Sequence, residues 1–337
     1  MMQKTIVHTC SSILIRPNGI VRYINAVIDL QRSQGHLVIF VTDAKPTQVI
    51  NADLIVYYDE TSTYVPNTKD GHVWLQVEFL ISDTIRYVYE KHIEHADLVV
   101  AHDLHSYLAL YDIIDDGIFV QHETDVLTPN SRWSFLDDTY LATQITIANK
   151  SHWRIGNTVA STHITPPRSV YTPMPFEPVA ATPVTKTRGL LYMGDATERK
   201  GAREFMAMAR QLGVTPTVIT HEVDSELFDG ADVYSFGLDQ REEMYSLMSQ
   251  HRVAYISSRN ECPGLVVPEC LQFMPVVVNA DYAWTRFVQG MGATAVPGNQ
   301  IATVLNDLMS DNAPGFDRRL LESWAWNAKQ IWNNLIA

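Results

Sequence analysis

The chain has 337 residues, 46% hydrophobic and 19% charged, which is enough to build two globular domains with sizeable cores and excludes a fibrous or intrinsically disordered protein. Three cysteines (Cys10, Cys262 and Cys270), odd in number and without C-x-x-C spacing, argue against both a disulfide framework and a zinc site. A net charge of −13 argues against an obligate polyanion binder. With no leader-like N-terminus and no apolar run near the roughly 18–20 residues of a membrane span, a cytoplasmic protein without a membrane segment is expected.

Short apolar runs alternate with amphipathic stretches from end to end, the pattern of repeated βαβ units around a parallel sheet. The first strand candidates are KTIVHT (4–9), LVIFVT (37–42), DLIVYY (53–58), DLVVAH (97–102), GIFVQH (117–122) and QITIAN (144–149). Between the first two, Ile20, Ile24, Val27 and Ile28 recur at helical spacing and Gly35 supplies a stop, so a helix is expected there. Residues 74–95 form a longer helix on the same reasoning. In the loop 13–23, Asn18-Gly19 lets the backbone approach a ligand at a helix start. It lacks both G-x-G-x-x-G and G-x-x-x-x-G-K-[ST], and an ordinary turn after a first strand is the simpler reading of those residues alone.

Charge is unevenly spread. Residues 1–125 carry 8 basic and 17 acidic side chains, residues 126–193 carry 6 and 3, and residues 194–337 carry 11 and 18. Only the middle stretch is net basic, and it also holds Trp133, Lys150, Trp153 and Arg154. It reads either as a nucleic-acid-facing patch or as a chance excess on a solvated face.

Four prolines in residues 171–188 and a loss of periodicity mark an interdomain connector. The alternation then restarts with LLYMGD (190–195), a helix from about 201 to 212, PTVIT, ADVYSFG, a helix near 240–250, VAYISS (253–258), PVVVNA (275–280) and GATAVP (292–297). A helical stretch near 317–336 closes the chain. We therefore expect an α/β protein of two Rossmann-like domains: residues 1–172, a linker over 173–188, and residues 189–316. The closing helix, 317–337, is expected to pack back on the first domain. Open α/β sheets bind ligands at the C-terminal ends of their strands, so a cleft between two such sheets is the expected site.

Two stretches of the second half carry chemistry. In YMGDATERKGAREF (192–205), Arg199 and Lys200 stand at a helix start, where basic residues oppose the helix dipole. That position suits an ammonium held against a diphosphate better than a merely solvated helix end. In RNECPGLVVPEC (259–270), Glu261 and Glu269 bracket a Pro263-Gly264 turn. Backbone N–H groups from Leu265 onward suit an anion, while the two carboxylates suit vicinal hydroxyls; the bland alternative is two surface glutamates beside a buried helix.

The E-x7-E spacing after VAYISS, followed by a helix and PVVVNA, is similar to the motif of the retaining GT-B glycosyltransferases, the family that includes sucrose synthase and many bacterial sugar transferases. The Gly194 and Gly201 spacing around Lys200 resembles that family's donor-phosphate loop. The resemblance implies that Lys200 holds the donor diphosphate, Glu261 contacts the donor sugar, and Glu269 contacts the nucleotide ribose. It also implies that Gly264 and Leu265 supply backbone donors and that Gly19 lies near the phosphates. The family has an arginine where this chain has Asp195, so the second cation of the phosphate clamp would have to come from Arg199.

GIFVQHETDVLTPNSRWSF (117–135) resembles the α-glucosyltransferases of T-even-type bacteriophages, which modify hydroxymethylcytosine in DNA. By that likeness His122 with Glu123 or Asp125 lies on the acceptor side, one of them helping to receive or orient the hydroxyl proton. Arg132, Trp133, Lys150 and Arg154 would contact DNA, with Trp133 or Trp153 stacking on an extruded or unpaired base. The implied enzyme transfers glucose or arabinose from a nucleoside diphosphate donor, UDP-linked by expectation, to 5-hydroxymethylcytosine in phage DNA. No Asp-x-Asp occurs, so no metal or other cofactor is expected. Two alternatives stay open: a transferase acting on a bacterial glycan or small metabolite, and an inactive GT-B module that binds DNA or sugar.

Overall fold

The computed structural model describes residues 2–12, 19–58, 71–114, 117–122, 153–157, 169–179, 184–237, 240–259, 261, 265–282, 284–310 and 317–337. Contacts divide the chain into two compact units, Met1–Phe176 with Ala328–Ala337, and Glu177–Asn327.

In the first unit, β1 (Thr5–Thr9), β2 (Leu37–Thr42), β3 (Leu54–Tyr57), β4 (Leu98–Ala101), β5 (Gly117–Gln121), β6 (Arg154–Asn157) and β7 (Ser169–Tyr171) form one sheet. All pairings are parallel, in the order β3-β2-β1-β4-β5-β6-β7. The helices are α1 (Gly19–Ser33), α2 (Gly71–His92) and α3 (Leu104–Leu110). Because successive strand side chains point to opposite faces, β2 feeds two cores. Val38 and Phe40 join Val21, Ile24 and Ile28 of α1, whereas Ile39 and Val41 join Ile81, Ile85 and Val88 of α2. A sheet covered on both faces requires the near-continuous apolar strands seen in the sequence.

Beyond β5 the described residues include strands that the apolar pattern did not mark. QITIAN (144–149) lies outside the described residues, and the strands that follow β5 are RIGN and SVY. Trp153, expected as a base-stacking residue, is fully buried. Its indole packs edge-on to Tyr107 at 5.3 Å between centroids and donates from Nε1 to the Ile114 carbonyl at 2.8 Å. It is a core side chain because it covers Gly117, where a Cβ would stand 2.7 Å from the indole ring.

The second unit repeats the plan with β8 (Arg188–Met193), β9 (Thr217–Ile219), β10 (Asp232–Tyr234), β11 (His251–Ile256), β12 (Val276–Asn279) and β13 (Thr294–Val296). These are again all parallel, in the order β10-β9-β8-β11-β12-β13. Its helices are α4 (Ala202–Leu212), α5 (Arg241–Ser249), α6 (Val266–Cys270), α7 (Thr285–Gln289) and α8 (Ile301–Met309). Helix α4 is bounded by Gly201 and Gly213, both in the left-handed conformation, and buries Phe205, Met206 and Ala209 against Leu190, Tyr192 and Val253. The last helix, α9 (Arg319–Ile336), starts in the second unit and ends in the first. Within the first unit, Trp332 is fully buried and donates from Nε1 to the Pro173 carbonyl at 2.7 Å. Lys4 Nζ donates to the carbonyl of Ala337 at 2.8 Å. Among the described residues no helix is long and apolar enough to cross a membrane.

Each sheet reverses its strand order once, between β1 and β4 in the first unit and between β8 and β11 in the second. At such a reversal the chain leaves neighbouring strands toward opposite faces. A crevice opens outside their C-terminal ends, where open α/β sheets take their ligands.

Candidate functional site

The reversal in the second unit brings together two loops that lie some sixty residues apart in sequence. After β8 the chain runs through Gly194, Asp195, Arg199 and Lys200 to Gly201; after β11 it runs through Ser257 and Ser258 to Glu261. Lys200 Nζ donates to both oxygens of Glu261, at 2.7 and 2.9 Å. Ser258 Oγ donates to Glu261 Oε1 at 2.6 Å, so the carboxylate, only 6% exposed, is held from two sides. The lysine side chain keeps 19% of its surface accessible.

Gly201 makes the approach possible. At φ +67° it sits where an L side chain is strained, and a Cβ there would lie 2.1 Å from the Ser257 carbonyl oxygen. Ser257 Oγ donates to the Gly201 carbonyl at 2.7 Å, and the Arg259 amide donates to the Arg199 carbonyl at 2.9 Å, closing loop on loop. Behind them the buried Tyr192 hydroxyl donates to the Asp195 carbonyl at 2.9 Å. Burial first, then the Glu261 and Asp195 charges, raise that phenol and keep it a donor. Asp195 thus enters the loop through its backbone.

Glu269 is buried in α6, a helix of only five residues, and Leu265, also buried, precedes that helix. Pro263 and Gly264 lie outside the described residues, as do Asn18, Glu123, Asp125, Arg132, Trp133 and Lys150. Gly19 is the first residue of α1. Arg154 opens β6 and therefore lies at the opposite end of the strands from His122, which follows the last residue of parallel β5. The Arg154 guanidinium donates to the Leu335 carbonyl at 3.4 Å, so this residue and His122 are not brought together.

The reversal in the first unit gathers around His122 residues that the sequence reading left without a role. His8 near the end of β1, His102 just after β4 and His122 just after β5 belong to three neighbouring strands. His8 Nδ1 lies 2.7 Å from His102 Nε2, and His102 Nδ1 lies 3.1 Å from His122 Nε2. The far ring nitrogen of His8 meets Gln31 Oε1 of α1 at 2.7 Å. All four side chains are buried. Burial lowers His8 to a pKa of about 4, although the Gln31 hydrogen bond pulls the other way. It lowers His122 to about 3 against the pull of the Asp103 charge. His102 falls well below its ordinary value through burial and then through its two histidine neighbours. Asp103 caps α3 by accepting from the Ser106 amide at 2.7 Å and also accepts from the Ser11 amide at 2.6 Å. Three histidines at the C-terminal ends of strands were visible as letters; that those strands are neighbours was not.

No protein-family model matches the sequence, and no curated protein sequence matches it. Solved structures match it over nearly its whole length. The apo structure of OtsA superposes with a TM-score of 0.69 at 11% identity, covering 99% of this chain and 98% of that one. A UDP-forming α,α-trehalose-phosphate synthase from Burkholderia xenovorans in complex with glucose-6-phosphate gives 0.68 at 12% identity, covering 99% of each chain. AviGT4, a glycosyltransferase involved in avilamycin A biosynthesis, gives 0.58 at 16% identity, covering 99% and 98%. At such identities the likeness carries the fold, which is GT-B: two Rossmann-like units, each with a parallel sheet.

Proposed function

We propose that the chain is a retaining glycosyltransferase that moves a sugar from a nucleoside diphosphate donor, UDP-linked by preference, to a hydroxyl acceptor. The observation that carries this reading is the Lys200–Glu261 pair at the strand-order reversal of the second sheet, seated on a GT-B fold. Lys200 supplies the cation for the departing diphosphate, and Glu261, oriented by Ser258, accepts hydrogen bonds from donor-sugar hydroxyls. The diphosphate competes with Glu261 for the ammonium, so donor binding frees the carboxylate for the sugar. Glu269 takes the ribose hydroxyls, and Gly194 and Leu265 offer backbone groups to the donor. Neutralisation by Lys200, Arg199 and backbone N–H groups replaces a metal ion in this reading. Retention follows from front-face attack, with the departing phosphate taking the acceptor proton.

For the acceptor, the QH-containing stretch 117–135 and the net basic segment 126–193 support 5-hydroxymethylcytosine in phage DNA. His122, Glu123 and Asp125 then lie on the acceptor side, and Arg132, Trp133 and Lys150 on the DNA. A second reading is a sugar phosphate acceptor, because a structure of this fold is described in complex with glucose-6-phosphate. Purified protein incubated with a panel of UDP-sugars and either hydroxymethylcytosine-containing DNA or glucose 6-phosphate decides between them by mass spectrometry of the products. The DNA reading expects a glycosylated nucleoside and a turnover that falls steeply with salt. Product only on glucose 6-phosphate overturns it, and release of no nucleotide with any donor and acceptor overturns the enzyme.

A further inference from the structure

The three buried histidines at the strand ends of the first unit form a directed chain. Each ring that is neutral carries one N–H and one lone pair, so fixing one nitrogen fixes the rest. Gln31 Oε1 faces His8 Nε2 at 2.7 Å, and with the amide in this orientation that nitrogen carries the proton. His8 Nδ1 is left as an acceptor and takes the Nε2 proton of His102 across 2.7 Å. His102 Nδ1 in turn accepts from His122 Nε2 across 3.1 Å. At the end of the line His122 Nδ1 holds a lone pair, and this buried atom has no hydrogen-bond partner among the described residues.

Ring contacts support this order. His8 and His102 stack at 5.0 Å between centroids, His102 and His122 at 5.4 Å. The Tyr23 ring packs edge-on against His122 at 4.7 Å, and its hydroxyl is tied to the Thr172 carbonyl at 2.8 Å. Leaving a buried acceptor unsatisfied is unfavourable, so the lone pair on His122 calls for a ligand donor at the C-terminal end of these strands.

We propose that Gln31, His8 and His102 are positioning residues that hold His122 as the Nε2–H tautomer, so that its Nδ1 accepts a hydrogen bond from a hydroxyl group of the substrate. This rests on the transferase reading for the identity of the hydroxyl, but the tautomer order does not depend on it. The chain sets direction and does not store a proton: with burial pushing His122 down to about 3, the ring is neutral near pH 7. The charged group beside it is Asp103, whose carboxylate is already engaged by the Ser11 and Ser106 amides.

Full-length protein carrying 15N-labelled imidazoles tests the order directly. At pH 7, two-bond 1H–15N spectra should show His8, His102 and His122 neutral and protonated on Nε2, with 15N–15N couplings across both His–His hydrogen bonds. A proton on Nδ1 of any of the three overturns the chain, whatever the activity. In Gln31→Met, His122 should lose its single tautomer although the substituted side chain lies two histidines away. If that variant does not fold, the couplings in the unmodified protein decide alone. With an acceptor that the protein glycosylates, Gln31→Met should lower kcat by about ten- to a hundredfold while leaving the donor KM within about twofold. An unchanged kcat beside a scrambled tautomer overturns the role in turnover. A wild-type protein that transfers no sugar to any acceptor, but shows the ordered tautomers, fails the transferase reading and leaves the chain of hydrogen bonds standing.

Discussion

At the scale of single residues, the site in the second unit depends on two contacts that tolerate no substitute. Gly201 combines a left-handed backbone with an approach of 2.1 Å between a would-be Cβ and the Ser257 carbonyl. Gly201→Ala should therefore lower unfolding stability by on the order of 2–4 kcal/mol, read as a shift in the urea midpoint. An unshifted midpoint would mean that the two loops separate at little cost. Lys200 is the other contact. A fixed cation beside a developing phosphate charge is worth about 3–4 kcal/mol in an enclosed site, so Lys200→Ala should lower kcat by roughly 10²–10³-fold; turnover within a factor of three of wild type would remove the lysine from the chemistry. Both residues were legible in the sequence, because basic side chains beside a glycine at a helix start oppose the dipole and ask for an anion. Ser258, His8 and Gln31 were not legible. A serine on Glu261 or a glutamine on His8 acquires its meaning only when the fold brings distant loops and strands side by side.

At the scale of elements, apolar runs announced the central strands because a sheet buried on both faces leaves polar residues few places. The edge was illegible for the converse reason: RIGN and SVY are too short and too polar to stand out, and only their pairing onto β5 makes them strands. Trp153 shows what such an edge still demands. The indole covers the first residue of β5, and Gly117 is the one residue type that leaves room for it. Gly117→Ala should force the ring or the strand to move, at a cost of about 1–3 kcal/mol, with a change in tryptophan fluorescence of the folded protein. Were the substitution silent in both stability and fluorescence, β5 would not be packed against Trp153. The same packing withdraws this tryptophan from any nucleic-acid surface.

At the scale of the whole molecule, charge and burial pull acid stability in opposite directions. A chain of net charge −13 relieves its own repulsion as carboxylates and exposed histidines take up protons, which by itself stabilises the compact state on mild acidification. The buried histidines act the other way. His8 in the first unit and His251 in the second both lie near 4, chiefly through burial, and His122 near 3, against an ordinary value of 6.5. For each, the unfolded chain binds a proton that the folded chain refuses. Their stability contribution is therefore complete above pH 6.5 and is lost as pH falls through 6.5 toward 4 and 3, at roughly 1–2 kcal/mol per pH unit for each group. Surface pairs cannot offset this: Asp317 is held near 2 by Arg319, but both are solvent-exposed and such pairs are worth little. Several core histidines acting together outweigh the relief of net charge, so the urea midpoint should be level from pH 9 to pH 7 and then drop steeply between pH 6.5 and pH 4. A midpoint that rises from pH 7 to pH 5 would show that relief of the net charge outweighs the buried histidines.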